Sequence, residues 1–190
     1  MKIKKLSLWI GIVLLFESVS ASAGIFEYSV GFSFYKSRFS EESFNWTRAW
    51  RTSVGYHFTD FSGIELSFQD LTNRTKVFNS EDIMTHDLVY SLNWIQQFVP
   101  SDWIFRPYGK LGLGQTNRQV EGTVIDSGTS QSIAFRQKIN AVTIVMSLGF
   151  KLFLLKNIAI RNEFSSQLVK GSIRNWDDNI NFTIGASVYF

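Results

Sequence analysis

Asn179-Ile180-Asn181-Phe182-Thr183-Ile184-Gly185-Ala186-Ser187-Val188-Tyr189-Phe190 ends the chain. Ile180, Phe182, Ile184, Ala186, Val188 and Phe190 alternate in it with Asn181, Thr183, Gly185, Ser187 and Tyr189. In a pleated strand this alternation puts the two sets on opposite faces. One face is apolar and the other small and polar, and about 10 such residues are what a strand needs to cross a bilayer as part of a closed barrel.

The other end of the chain carries a different signal. Lys2, Lys4 and Lys5 precede an almost wholly apolar run from Leu6 to Phe16, and Ala21-Ser22-Ala23 offers small residues before Gly24. This is the pattern of a secretory signal peptide cut between Ala23 and Gly24, and the apolar run is shorter than the ~20 residues a membrane helix requires. Residues 1–23 are therefore read as a cleaved leader and 24–190 as one domain. The sequence has no cysteine, which excludes both a lipid-anchored start and a disulfide framework.

Removing the leader changes the charge balance. The whole chain has 19 basic and 16 acidic residues; without Lys2, Lys4, Lys5 and Glu17 the balance is 16 against 15. The basicity belongs mostly to the leader, so no nucleic-acid partner is expected.

Alternation recurs over 25–36, 47–58, 62–69, 84–96, 103–115, 138–152, 157–168 and 179–190. No stretch after Gly24 is long and apolar enough for a membrane helix. The expected fold class is all-β: an eight-stranded antiparallel up-and-down transmembrane β-barrel. Short links at 59–61, 97–102 and 153–156 alternate with longer polar links at 37–46, 70–83, 116–137 and 169–178. Outer-membrane barrels have short periplasmic turns and long extracellular loops, so both termini are expected in the periplasm. Aromatics make up 16% of the chain. Trp46 and Trp50 are assigned to an outer interfacial girdle, and Phe58, Phe61, Phe98, Trp103, Phe105, Phe153 and Phe190 to a periplasmic one.

Arg106-Pro107-Tyr108-Gly109-Lys110-Leu111-Gly112-Leu113-Gly114, Ile158-Ala159-Ile160-Arg161-Asn162-Glu163-Phe164 and the terminal aromatic strand together resemble the small eight-stranded outer-membrane barrels. That group includes the transmembrane domain of outer-membrane protein A, the OmpX and OmpW types and the outer-membrane β-barrel domain family. The resemblance covers all of 24–190 and identifies architecture, not activity. It implies a bacterial outer-membrane address, contact with outer-membrane lipid and lipopolysaccharide, and a role for Phe190 as an assembly signal read by the barrel-assembly machinery.

Strand parity assigns Glu27, Arg51, Glu65, Asp87, Lys110, Lys151, Arg161 and Glu163 to the interior. An eight-stranded barrel is only wide enough to be filled by side chains, and buried charges persist when paired, so a structural charge network is expected. The function that follows is a monomeric structural or surface-interaction protein whose extracellular loops (Arg38, Glu41, Glu42, Arg74, Lys76, Glu81, Asp82, Arg118, Glu121, Lys170, Arg174, Asp177) meet a ligand. A narrow ion pore lined by the same eight charges is the alternative.

An enzyme that modifies lipid A ranks third. It would need His86 as base beside Ser80 or Thr85, and the strand with Glu163-Phe164-Ser165-Ser166 lacks the His-x-Ser-Asn element of lipid A deacylase barrels. The palmitoyltransferase barrels open on an amphipathic helix, whereas 24–190 opens on a strand. His57 faces inward and is expected to join the network. The two histidines lie far apart in a chain without cysteine, so no metal and no cofactor is expected, and no catalytic residue is assigned.

Overall fold

The computed structural model describes residues 24–125, 132–170 and 180–190. Ala23, Asn179 and the loop residues Arg174 and Asp177 lie outside the described residues, as does the leader. Eight strands close into one antiparallel barrel in sequence order: β1 (Ile25–Arg38), β2 (Phe44–His57), β3 (Ser62–Val77), β4 (Glu81–Gln97), β5 (Phe105–Ile125), β6 (Ser132–Leu155), β7 (Ile158–Val169) and β8 (Ile180–Tyr189).

The burial pattern reverses that of a water-soluble protein. Phe26, Tyr28, Val30, Phe32 and Phe34 on β1, or Leu111 and Leu113 on β5, are exposed on the outside, while Glu27, Ser29, Ser53, Glu65, Asn93 and Thr183 are buried within. Each strand is thus apolar toward its surroundings and polar toward the lumen, as a low-dielectric solvent outside demands. Neighbouring strands set outward rings against each other, Phe32 on Trp50 with centroids 4.8 Å apart and Phe164 on Phe182 at 4.7 Å. Such pairs add to the ladder's own stability.

Closure falls to β1 and β8, whose ladder runs from Glu27↔Tyr189 to Phe32↔Ile184. Phe190 extends it: its N–H donates to the Phe26 carbonyl at 2.9 Å, and its carbonyl accepts from Phe26 N–H at 3.2 Å. The Phe190 ring is exposed on the outside. At the same end Phe153 departs from its expected girdle position. Its ring packs on Tyr189, centroids 5.0 Å apart, and under the Arg106 guanidinium at 3.6 Å, so it closes the mouth of the barrel. The cause is parity: Phe153 shares the inward register of Lys151, and the bulge between Phe153 and Leu155 comes after it.

The far end corrects the expected links. Positions 70–83 are not a long loop, because β3 and β4 remain paired from Leu71↔Asp87 to Val77↔Glu81. A tight turn, with Asn79 at φ 54°, joins them. Most of 116–137 is likewise ladder, paired from Thr116↔Ala141 to Ile125↔Ser132. Beyond the apolar band a strand meets water on both faces, so it no longer needs alternation, and polar sequence pairs as well as apolar. The result is a curved wall made of the far halves of β1 to β6, paired out to Arg38↔Phe44, Phe44↔Lys76 and Val77↔Glu81, standing beyond the last β1–β8 and β6–β7 pairs, Phe32↔Ile184 and Thr143↔Val169.

Deleting Phe190 removes the final pair of the closing ladder, so the folded, heat-modifiable band on unboiled gels should weaken in cells, while Phe190→Tyr should retain it. An undiminished band from the deletion would show that closure does not need this residue.

Candidate functional site

Among the described residues, charged side chains from many strands meet in the lumen. Seven of the eight predicted interior charges form a single cluster, contributed by β1, β2, β3, β5, β6 and β7. Arg161 is its hub: Nη1 donates to Glu65 Oε2 at 2.7 Å and to Ser29 Oγ at 3.1 Å, and reaches Glu27 Oε1 at 3.5 Å. Its Nη2 donates to Glu163 Oε2 at 2.8 Å. Lys110 Nζ bridges Glu65 and Glu163, each at 2.8 Å. Arg51 Nη1 pairs with Glu163 Oε1, and Lys151 Nζ with Glu27 Oε2 at 2.6 Å. All seven residues are at most 7% exposed.

Neutral groups complete the cluster. Arg161 Nε donates to the Tyr108 hydroxyl at 2.8 Å, which in turn donates to Glu163 Oε2 at 2.8 Å. Gln69 Oε1 accepts from Arg51 Nε at 3.2 Å, from Arg51 Nη2 at 2.6 Å and from Gln167 Nε2 at 3.0 Å. Gln97 Nε2 lies 3.4 Å from His57 Nδ1, and His57 Nε2 bonds Glu27 Oε2 at 2.7 Å. His57 thus occupies the network position expected of it. Tyr108, Gln69 and Gln167 join the network although the sequence reading names only charges for it; all three carry inward parity, that of Lys110, Glu65 and Glu163. Parity names a face; which uncharged groups on that face touch a charge depends on the stagger of strands around the barrel.

Asp87 stands apart from the other seven. It takes a bidentate pair from Arg118 Nε and Nη2, at 2.8 and 2.7 Å, further along the lumen toward the wall. Arg118 was expected on a surface loop, but it is an inward residue of β5. The loop reading is corrected for Arg74 and Asp82 as well: both sit on paired strands and face outward, joined by bonds of 2.8 and 2.7 Å. These two lie in the wall, beyond the apolar band, where the Arg74 hydrogen bonds hold the Asp82 carboxyl below its ordinary range.

Neither Ser80 nor Thr85 lies beside His86, whose cross-strand neighbour is Thr72. His86 Nε2 bonds Asp70 Oδ1 at 2.9 Å on the outer face, both residues about 40% exposed. Thr85 points the opposite way on the same strand, and Ser80 lies in the turn six residues on, about 20 Å along a strand rising ~3.3 Å per residue. The alternating register therefore separates the three groups that a Ser-His arrangement would have to bring together. Among the described residues no cluster of three His, Cys, Asp or Glu side chains could hold a metal ion.

The inner surface of the wall carries a second constellation. Ile83, Gly122 and Phe135 lie in one inward row across β4, β5 and β6. A Cβ on Gly122 would come within 3.1 Å of both the Phe135 ring and Ile83, so the bare backbone is what lets the ring lie flat there. Val77, Val124 and Ile133 adjoin this row, and Phe135 and Ile133 remain 38% and 56% exposed.

The model of the outer membrane protein beta-barrel domain matches residues 11–190. Three solved structures share the fold. The N-terminal β-barrel domain of Pseudomonas aeruginosa OprF is 17% identical, with 88% of this chain and 97% of that one covered and a TM-score of 0.53. Ail, the attachment invasion locus protein of Yersinia pestis, is 14% identical over 89% and 100% of the two chains, TM-score 0.54. OprG of Pseudomonas aeruginosa is 15% identical over 88% and 96%, TM-score 0.55. No curated protein sequence matches the chain.

Glu163 is the shared acceptor of Arg51, Lys110 and Arg161, so Glu163→Gln should leave the buried Arg51 without its carboxylate, weaken the hold on Lys110 and Arg161, and cost about 3–5 kcal/mol, read from urea unfolding in detergent micelles. Glu163→Gln combined with Arg161→Met should cost less than the sum of the two single changes; strict additivity would mean that the pair does not interact.

Proposed function

This chain belongs to the outer membrane protein β-barrel domain family, and from that premise we propose that it is a surface-interaction protein whose apolar wall, not its lumen, meets the ligand. The bacterial outer membrane is its location. The observation that carries the reading is the exposed row of Phe135, Ile133 and Val124 on the inner face of a wall that projects beyond the barrel. Exposed apolar surface of this kind, rimmed by the polar ends of the strands, is what a protein contact uses. Lipid does not reach the inner face of a closed barrel, so the membrane gives no account of these side chains.

In this reading the residues before Gly24 are a cleaved leader, the wall is extracellular and both termini are periplasmic. Two features support that orientation. The strands project furthest at the end away from the termini, and that wall has the length that family members devote to their outer side. Lys36, Arg48 and Arg74 face outward just past Phe34 and Trp50 on neighbouring strands, with Lys36 and Arg74 on either side of the Phe44 ring at 5.6 and 5.9 Å. Cations at that level suit the phosphates of lipopolysaccharide. Ail, a barrel of the same shape, is named for attachment and invasion.

A structural plug rather than a pore is favoured because Arg161 on β7 pairs with Glu65 on β3 across the lumen, and Lys110 on β5 joins Glu65 to Glu163. An enzymatic role has no comparable support, given where His86, Ser80 and Thr85 lie.

Bacteria displaying the protein should adhere to epithelial cells more than bacteria displaying Phe135→Asp/Ile133→Asp at equal outer-membrane levels. Planar bilayers with the refolded 24–190 chain should show no steady conductance. Equal adhesion would remove the wall from this account, and reproducible conductance steps would favour the pore.

A further inference from the structure

We propose that the open edge of β6, residues 132–140, takes up an extended segment of a partner protein as an added β-strand, one whose side chains alternate acidic and apolar; this rests on the wall being the contact surface. The last β6–β7 pair is Thr143↔Val169, whereas β6 stays in register with β5 as far as Ser132. Among the described residues nothing pairs with 132–140 on the side away from β5.

One bond fixes which backbone groups face that side. The Val142 carbonyl accepts from Lys170 N–H at 2.9 Å, so Val142 aims its backbone groups away from β5. Along an antiparallel strand residues alternate in this respect. Asn140, Lys138, Arg136, Ala134 and Ser132 therefore present a row of donors and acceptors at strand spacing, which is a template for another chain.

Exposed edges are commonly blunted by proline, by a bulge or by charge. Here the register with β5 is unbroken and the segment contains no proline. Ile133, Phe135 and Ile139 favour the extended state. Charge is the device that remains: Arg136 and Lys138 stand exposed on the outward face, and 132–140 holds no acidic residue.

That device is selective. Two copies of the edge would pair antiparallel about a twofold axis, and every register that uses its centre sets Arg136 or Lys138 against one of the same two cations. Like charges directly opposite are destabilising. A strand with carboxylates at those positions gains what a second copy loses. Arg136 bonds Glu121 at 2.8 Å yet stays 62% exposed, so its guanidinium can serve a second carboxylate.

The inward face sets the other half of the pattern. Phe135 and Ile133 lie exposed on the inner surface, and apolar side chains on the added strand would extend it. The opposite edge of the wall, β1 beyond its last pair with β8, is shorter and carries Lys36 and Arg38, again without an acid.

The test uses a labelled peptide, Thr-Ile-Glu-Thr-Glu-Val-Thr-Ile-Thr, which run antiparallel to 132–140 sets its glutamates opposite Lys138 and Arg136. Fluorescence anisotropy with the refolded 24–190 barrel in lipid nanodiscs should show saturable binding, and a form with lysine for both glutamates should bind about tenfold more weakly. N-methylation of the two glutamates, whose N–H groups face β6, should abolish binding. N-methylation of the threonine between them and the valine after them, whose N–H groups face away, should leave it. Lys138→Pro removes no bond to β5, so it should fold to the same heat-modifiable band and lose the peptide. Arg136→Glu/Lys138→Glu should prefer the lysine form. Absence of binding, equal effects of the two methylation patterns, an unchanged preference in the charge-reversed variant, or a barrel dimer that Lys138→Pro abolishes would each overturn strand addition. Adhesion still lowered by Phe135→Asp/Ile133→Asp in that event would keep the wall as contact surface and remove the added strand alone.

Discussion

Inside hydrocarbon a backbone N–H or carbonyl without a partner has no water to turn to, so the sheet must close and β1 must find β8. Among the described residues that seam is the shortest run of pairing around the barrel, lengthened at the terminal end by the two bonds between Phe26 and Phe190. It is thinnest one pair from its far end, where Gly31 opposes Gly185. Closure turns eight amphipathic ribbons into an object with an inside, and every other property of the structure follows from having one.

The first consequence is electrostatic. Side chains far apart in sequence are forced into one narrow lumen with little water, where an unpaired charge costs several kcal/mol. Arg161 on β7 accordingly reaches carboxylates on β1 and β3. Such a network ties strands together across the lumen, in addition to the ladders that tie each strand to its neighbour. Its geometry is sensitive to sign: each carboxylate serves two or more cations, so removing one acid disturbs several bases at once.

The second consequence concerns where the barrel rules stop. Within the apolar band each position has a prescribed polarity, and the alternation of Ile64, Leu66 and Phe68 against Glu65, Ser67 and Gln69 could be read directly from the sequence. Past that band both faces of a strand meet water. Thr72-Asn73-Arg74-Thr75-Lys76 then reads as loop by composition, although it is ladder in the structure. Propensity and backbone pairing decide there, and neither leaves a periodic trace. Phe153 shows a related limit: an aromatic near a strand end suits a girdle equally from either face, and only the register decides that it turns inward.

Period-two alternation by itself determined the number of strands, their order and the face on which each of the eight charges lies, because a lipid-facing strand has no freedom to mix polarity. It could not determine who pairs with whom. The separation of Asp87 and Arg118 from the other seven charges, the hub position of Arg161 and the recruitment of Tyr108 depend on the stagger of β1 through β8 around a closed ring. Stagger is a property of the ring as a whole, set when its last strand meets its first, and no single strand's sequence contains it.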